Sequence, residues 1–74
     1  MIKIGIIGAA GYSGAELIKL LLNHPEGEIK KLFGHSTAGL RIDEVHTSLR
    51  SLISTQIENF SEESLGELDL IFVA

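Results

Sequence analysis

At 74 residues the chain makes one small domain at most, and a chain near this size buries only about 60% of the surface its unfolded form exposes, so a self-sufficient core is marginal. It contains no Cys, which removes disulfides and thiolate metal sites as compensation. The net charge of −4 argues against nucleic acid as a partner, because phosphate backbones call for a basic face. No apolar run approaches the ~20 residues of a membrane span. Met1-Ile2-Lys3 leads into a short run broken at Gly5 and Gly8, which is not the pattern of a signal peptide. A cytoplasmic protein is expected, with neither nucleic acid nor membrane among its partners. Residues 51–74 carry Glu58, Glu62, Glu63, Glu67 and Asp69 with no Lys or Arg, which reads as a solvated acidic surface.

Residues 2–7 are apolar apart from Lys3 and Gly5, and such a run suits a strand buried on both faces of a parallel sheet. Gly8, Gly11 and Gly14 form a turn. Residues 12–23 then read as a helix whose Leu17, Ile18, Leu20, Leu21 and Leu22 give a broad apolar stripe, with Glu16, Lys19 and Asn23 outside. Glu16 and Lys19 are spaced for a weak surface pair. Asn23-His24-Pro25 stops the helix, because a residue before Pro avoids helical dihedrals. Residues 28–33 predict a second, less apolar strand. Residues 34–52 have no clear period and read as loop, with one helical turn around Asp43–His46. Residues 55–60 predict a short third strand, and Ser61 is a fair N-cap for a brief helix through Leu65, ended by Gly66. Asp69 to Ala74 is a strongly apolar fourth strand.

Strand, glycine turn and helix in that order are what a dinucleotide site requires. The strand delivers the backbone to a tight turn, and the helix presents unpaired N–H groups and a partial positive charge to a pyrophosphate. The spacing is G-x-x-G-x-x-G rather than G-x-G-x-x-G, but the demands are alike: Gly8 for the tight exit, Gly11 for close approach of backbone to ligand, Gly14 for packing of helix on strand. A Walker loop is excluded, since no Lys-Ser or Lys-Thr follows the glycines. An NAD site carries an Asp or Glu about 20 residues on, at the end of the second strand, to hold the ribose hydroxyls. Here that place is Gly34-His35-Ser36-Thr37, and Glu28 falls at the opposite end of the strand. This acid-free lip tolerates a 2′-phosphate and favours NADP over NAD. His35 itself is either a ligand group or an ordinary loop histidine. His24 falls near the helix C-terminus, where a cation is favoured. His46 lies in the segment without a clear period and is not placed in the site. No metal-ligand spacing is present.

From Gly8 to Leu17 (Gly-Ala-Ala-Gly-Tyr-Ser-Gly-Ala-Glu-Leu) the chain resembles the N-acetyl-γ-glutamyl-phosphate reductases of arginine biosynthesis, with further likeness at Leu20-Leu21-Leu22-Asn23-His24-Pro25, Ala38-Gly39, Glu44-Val45-His46 and Leu49-Arg50. The resemblance implies an NADP-dependent reductase that turns an acyl phosphate into an aldehyde through a cysteine thioester. It implies that Gly8, Ala10, Gly11, Tyr12, Ser13 and Gly14 line the pyrophosphate. It further implies that His35 and Ser36 occupy the stretch that meets the 2′-phosphate, where this family often has Ser-Arg-Ser against Gly34-His35-Ser36 here. An imidazole in place of a guanidinium weakens that grip, and nothing in the sequence places Arg41 to compensate. The nucleophilic Cys and its partner His are expected beyond Ala74, so these residues would supply cofactor binding only.

The expected fold is α/β: a partial, truncated Rossmann-like doubly wound parallel sheet, residues 1–74 forming the N-terminal part of an NADP-binding domain. The expected partners are a small acyl-phosphate substrate held by a separate domain and, in the complete protein, further copies of itself. Two rival readings stand beside this one. The first is a related acyl-phosphate reductase, either aspartate-semialdehyde dehydrogenase, against which Tyr12-Ser13-Gly14 speaks, or its lysine-pathway counterpart. The second is a non-catalytic dinucleotide-sensing or protein-interaction module, since a fold does not decide a function.

Overall fold

The computed structural model describes residues 1–74. Strand β1 (Ile2–Ile7) lies between two neighbours, β2 (Gly27–Phe33) and β4 (Leu70–Val73), and the short β3 (Ile57–Glu58) adds outside β2. All the pairings are parallel, in the order β3-β2-β1-β4. This is the Rossmann-like order, in which the chain winds outward from β1 in one direction and then resumes on its other side.

Helix α1 (Tyr12–Leu22) covers one face of the sheet. Ile18 is fully buried against Ile4 and Ile6, with Leu17 and Leu21 half-buried beside them. The buried arc is narrower than the sequence suggests: Leu20 is 71% and Leu22 is 39% exposed. At 3.6 residues per turn Leu20 stands about 200° around the helix from Ile18, so both cannot face one sheet. The helix stops as expected. The Asn23 and His24 amides donate to the Leu20 and Leu21 carbonyls, and the His24 Nδ1 accepts from the Glu26 amide at 3.2 Å. That assigns His24 to the turn.

Strand β2 carries Ile29 and Leu32 three residues apart, a spacing that simple alternation would send to opposite faces. Both reach the α1 side because the β1–β2 register shifts by one residue, Ile4 pairing with Ile29 but Gly5 with Lys31. On the other face Gly5 and Ile7 pair with Ile71 and Val73. Leu68 covers Gly5, while Val73 is 77% exposed.

The crossover from β2 to β3 departs most from expectation. The single helical turn expected at Asp43–His46 is two short elements, α2 (Ile42–Val45) and a 3₁₀ turn (Thr47–Leu49). Joining them breaks any single period, which is why none is readable. Ile42 and Leu49 are both fully buried in the main core. The returning chain is stitched to the outgoing one: Ile42 donates to the Thr55 carbonyl at 2.9 Å, Ile57 to Leu40 at 2.7 Å and Gly39 to Ile57 at 2.7 Å. Strand β3 is accordingly two residues long rather than the expected 55–60, because the segment before it spends its hydrogen bonds on the crossover. After it, the Ser61 hydroxyl caps α3 (Glu62–Leu65) by accepting from the Ser64 amide at 3.3 Å.

Removing a buried branched aliphatic side chain costs about 2–5 kcal/mol. Ile42→Ala and Leu49→Ala should each fall in that range in urea unfolding, although both lie outside the regular sheet. Leu20→Ala, at an exposed position, should stay within about 0.5 kcal/mol of the parent.

Candidate functional site

The turn between β1 and α1 starts from a hydrogen bond across the sheet. The Phe33 carbonyl at the end of β2 accepts from both Gly8 (3.0 Å) and Ala9 (3.2 Å), so the end of β2 decides where the chain leaves β1. Gly8 has φ of +82°, a left-handed conformation that costs an L-residue about 1–2 kcal/mol. The backbone then doubles back, Gly11 donating to the Gly8 carbonyl at 3.3 Å, and α1 begins at Tyr12.

Gly14 and Gly11 differ sharply. A Cβ on Gly14 would lie 2.5 Å from the Ala9 carbonyl oxygen and 2.7 Å from that of Gly8, so the helix rests on bare backbone. A Cβ on Gly11 would meet nothing nearer than the Gly8 oxygen at 3.8 Å, and its φ of −81° is open to any residue. The chain's own packing therefore requires glycine at 14 and leaves position 11 free.

Gly11 is the N-cap of α1, and no side chain caps the helix. The amides of Ala10, Tyr12, Ser13 and Gly14 donate to no acceptor within the protein. An Asp or Ser cap would occupy those amides, and the first turn carries no acidic residue that would repel an anion. The helix end thus offers a row of free donors and about half a positive charge, the setting in which backbone binds phosphate. Tyr12, at 93% exposure, holds its ring in solvent beside them.

Next to the turn a cleft of ≈ 370 Å³ is lined by Ile7, Gly8, Phe33, Gly34, His35, Asn59 and Phe60. It sits at the carboxyl ends of β1, β2 and β3, where open parallel sheets receive ligands. Phe33 and Phe60 meet edge to face with centroids 5.6 Å apart and form an aromatic wall. His35 and Ser36 stand exposed just after β2; the structure brings His35 and Gly8 to one cleft, and Ser36 does not line it. No carboxylate lines this cleft. The Arg41 Nε is tied to Asp43 at 3.1 Å and Glu44 at 3.4 Å. Glu28 lies at the amino end of β2, opposite Lys3, and pairs with Lys30. A larger hollow of ≈ 720 Å³ near Lys3, Lys31, Glu67 and Asp69 lies away from the strand carboxyl ends; there Lys31 pairs with Glu67 at 3.2 Å and the Asp69 carboxylate accepts from the Lys3 backbone amide at 2.8 Å.

Two features escaped the sequence reading. Asn59 and Phe60 enter the cleft only because β3 pairs with β2, which no local pattern announces. His46 reaches back across the fold to the turn, its Nε2 lying 3.3 Å from the Ala9 carbonyl oxygen. The hint for His46 was its place between the apolar Ile42 and Leu49.

A central strand ending in an uncapped glycine turn, in a β3-β2-β1-β4 parallel sheet, defines a Rossmann-like dinucleotide-binding domain. The chain belongs to the family described as semialdehyde dehydrogenase, NAD binding domain, matching it over residues 3–74. Curated relatives named N-acetyl-gamma-glutamyl-phosphate reductase include those of Parabacteroides distasonis (47% identical, 97% of this chain), Karelsulcia muelleri (45%, 99%) and Laribacter hongkongensis (39%, 100%). The chain spans 22% of the length of each of these relatives. Among solved structures it resembles aspartate semialdehyde dehydrogenase with NADP from Candida albicans. There the TM-score is 0.84 at 27% identity, covering 100% of this chain and 23% of that one.

The contrast between the two glycines is testable. Gly14→Ala should lower the unfolding midpoint clearly, because backbone atoms must move to admit the methyl group. Gly11→Ala should leave the midpoint nearly unchanged and instead weaken the binding of a dinucleotide. A large loss of stability on Gly11→Ala would contradict the open space beside it.

Proposed function

We propose that this chain is the N-terminal part of the NADP-binding domain of an N-acetyl-γ-glutamyl-phosphate reductase, an enzyme of arginine biosynthesis. The full reaction takes N-acetyl-γ-glutamyl phosphate, NADPH and a proton to N-acetylglutamate semialdehyde, NADP and inorganic phosphate. The observation that carries the reading is the uncapped turn from Gly8 to Gly14, at the end of a central strand, in a chain that matches so-named relatives along almost its whole length. NADPH, when bound, supplies the hydride. The residues here bind and orient it. The free amides of Ala10, Tyr12, Ser13 and Gly14 receive the pyrophosphate, and bare Gly11 lets it approach the backbone.

Support for NADP comes from the lip at Gly34–Thr37, which has no carboxylate to receive a ribose 2′-hydroxyl and to repel a phosphate there. On this reading His35 and Ser36 meet the 2′-phosphate. Further support is that the Candida albicans relative is described with NADP. With no Cys among the 74 residues, the thioester step has its nucleophile elsewhere in the complete protein, together with the acyl-phosphate pocket. No helix here is long and apolar enough to cross a membrane. The complete enzyme works in the cytoplasm as a homo-oligomer, with no nucleic acid or membrane partner.

The second reading, an aspartate-semialdehyde dehydrogenase, has the likeness of folds in its favour. It is the weaker reading because that identity is 27%, against 39–47% for the arginine-pathway relatives above.

The full-length protein should oxidise NADPH in the presence of N-acetyl-γ-glutamyl phosphate and not in the presence of β-aspartyl phosphate. Activity with the aspartyl substrate alone would shift the assignment to the second reading. His35→Asp, which puts a carboxylate on the lip, should weaken NADPH binding by about tenfold or more, the scale of one unfavourable charge contact of ~1.4 kcal/mol. NADH binding should fall less. A wild-type preference for NADH would overturn the NADP assignment.

A further inference from the structure

We infer that His46 is a positioning residue for the dinucleotide turn: its imidazole holds the Ala9–Ala10 peptide so that the Ala10 amide stays presented to the cofactor's phosphates. This rests on the proposed dinucleotide function. The observation is the contact of His46 Nε2 with the Ala9 carbonyl oxygen at 3.3 Å, across 37 residues of chain. A carbonyl can only accept, so Nε2 carries the proton and the ring donates. No backbone amide donates to the Ala9 carbonyl, and Ala9 itself is fully buried. His46 is therefore the one protein partner of a buried acceptor, a group that is costly to leave unmade.

The chemistry follows from the plane of the peptide. The chain has no cis peptide bond, so the carbonyl of Ala9 and the amide of Ala10 point to opposite sides of one rigid unit. Fixing the oxygen against His46 aims the amide away from it, and that amide has no acceptor within the protein. Gly14 closes the same oxygen from the helix side, since a Cβ there would come within 2.5 Å of it. The peptide is thus gripped from two directions by elements far apart in sequence.

The ring is itself well placed to hold. His46 follows α2 directly, with its amide donating to the Ile42 carbonyl at 2.8 Å and its carbonyl accepting from Leu49 at 2.9 Å. Ile42 and Leu49, on either side, are both fully buried. The crossover is therefore anchored in the core at the two points that flank the imidazole. This gives the two short elements of the crossover a role in the site that they do not line.

The test uses the full-length protein with His46→Phe, which fills the space without donating, and His46→Gln, which keeps an N–H donor. Two measurements are made: NADPH affinity well below the unfolding midpoint, and hydrogen exchange of the amides from Ala10 to Gly14 without ligand. We expect His46→Phe to weaken NADPH by about tenfold, in keeping with one lost hydrogen bond to a buried acceptor. It should also speed exchange at Ala10, and His46→Gln should restore most of both. Wild-type affinity and wild-type exchange in a folded His46→Phe variant would overturn the inference. So would equal defects in the Phe and Gln variants, which would mark a packing role alone. Wild-type protein that binds neither NADPH nor NADH would instead overturn the proposed function, and the exchange rates would still decide the part played by His46.

Discussion

The contact on which the site depends is the approach of α1 to the bare backbone of the turn that precedes it. Gly14 has no side chain because the carbonyls of Gly8 and Ala9 already fill the place where one would go. With the helix seated that closely, its first amides open directly onto the end of β1. A helix pushed away by even one methyl group would aim its donors elsewhere and would lose the burial of Ile18 on Ile4 and Ile6 as well. Packing and ligand geometry are here the same contact seen from two sides. For that reason no side-chain cap intervenes at Gly11: a cap would stabilise the helix and consume the donors.

Sheet order supplies the other half of the site. Because β2 and β4 both pair with β1, the chain winds away from the central strand on both sides and leaves a crevice at its carboxyl end. The turn is tied to each neighbour. Phe33 of β2 accepts from Gly8 and Ala9, and Ala74, just past β4, donates to Ile7 at 2.9 Å. The pairing of β3 with β2 brings Asn59 and Phe60 to the cleft, and the two phenylalanines make a wall on the side where the acid-free lip begins.

The surface charges contribute little to this arrangement. Glu16–Lys19, Glu28–Lys30 and Arg41–Glu44 are ion pairs with well-exposed partners, of the kind that give about 0–1 kcal/mol. Glu28 lies at the amino end of β2, and the Arg41 guanidinium is occupied by Asp43 and Glu44. Neither stands at the cleft, which leaves the lip to uncharged groups and His35.

Much of the fold was legible in the chain itself, because β1, the glycine turn and α1 are decided by neighbours in sequence. An unbroken apolar run, glycines at a regular spacing and a helix stopped before Pro25 each act within a few residues. The same holds for the Ser61 cap, which satisfies an amide three residues on. What lay beyond reading was what long-range pairing decides. The register shift that turns both Ile29 and Leu32 inward depends on β1, and the shortness of β3 depends on hydrogen bonds to Gly39, Leu40 and Ile42. The crossover was opaque because two short turns share no period, although its Ile42 and Leu49 are core residues. The glycine turn and the uncapped helix start that follows it were local too, since a close approach of backbone needs only glycine and a following helix. That the Ala9 carbonyl is gripped by His46, and that Asn59 and Phe60 face the same cleft, belonged to the tertiary structure alone, because those contacts form only when distant segments are packed on one core.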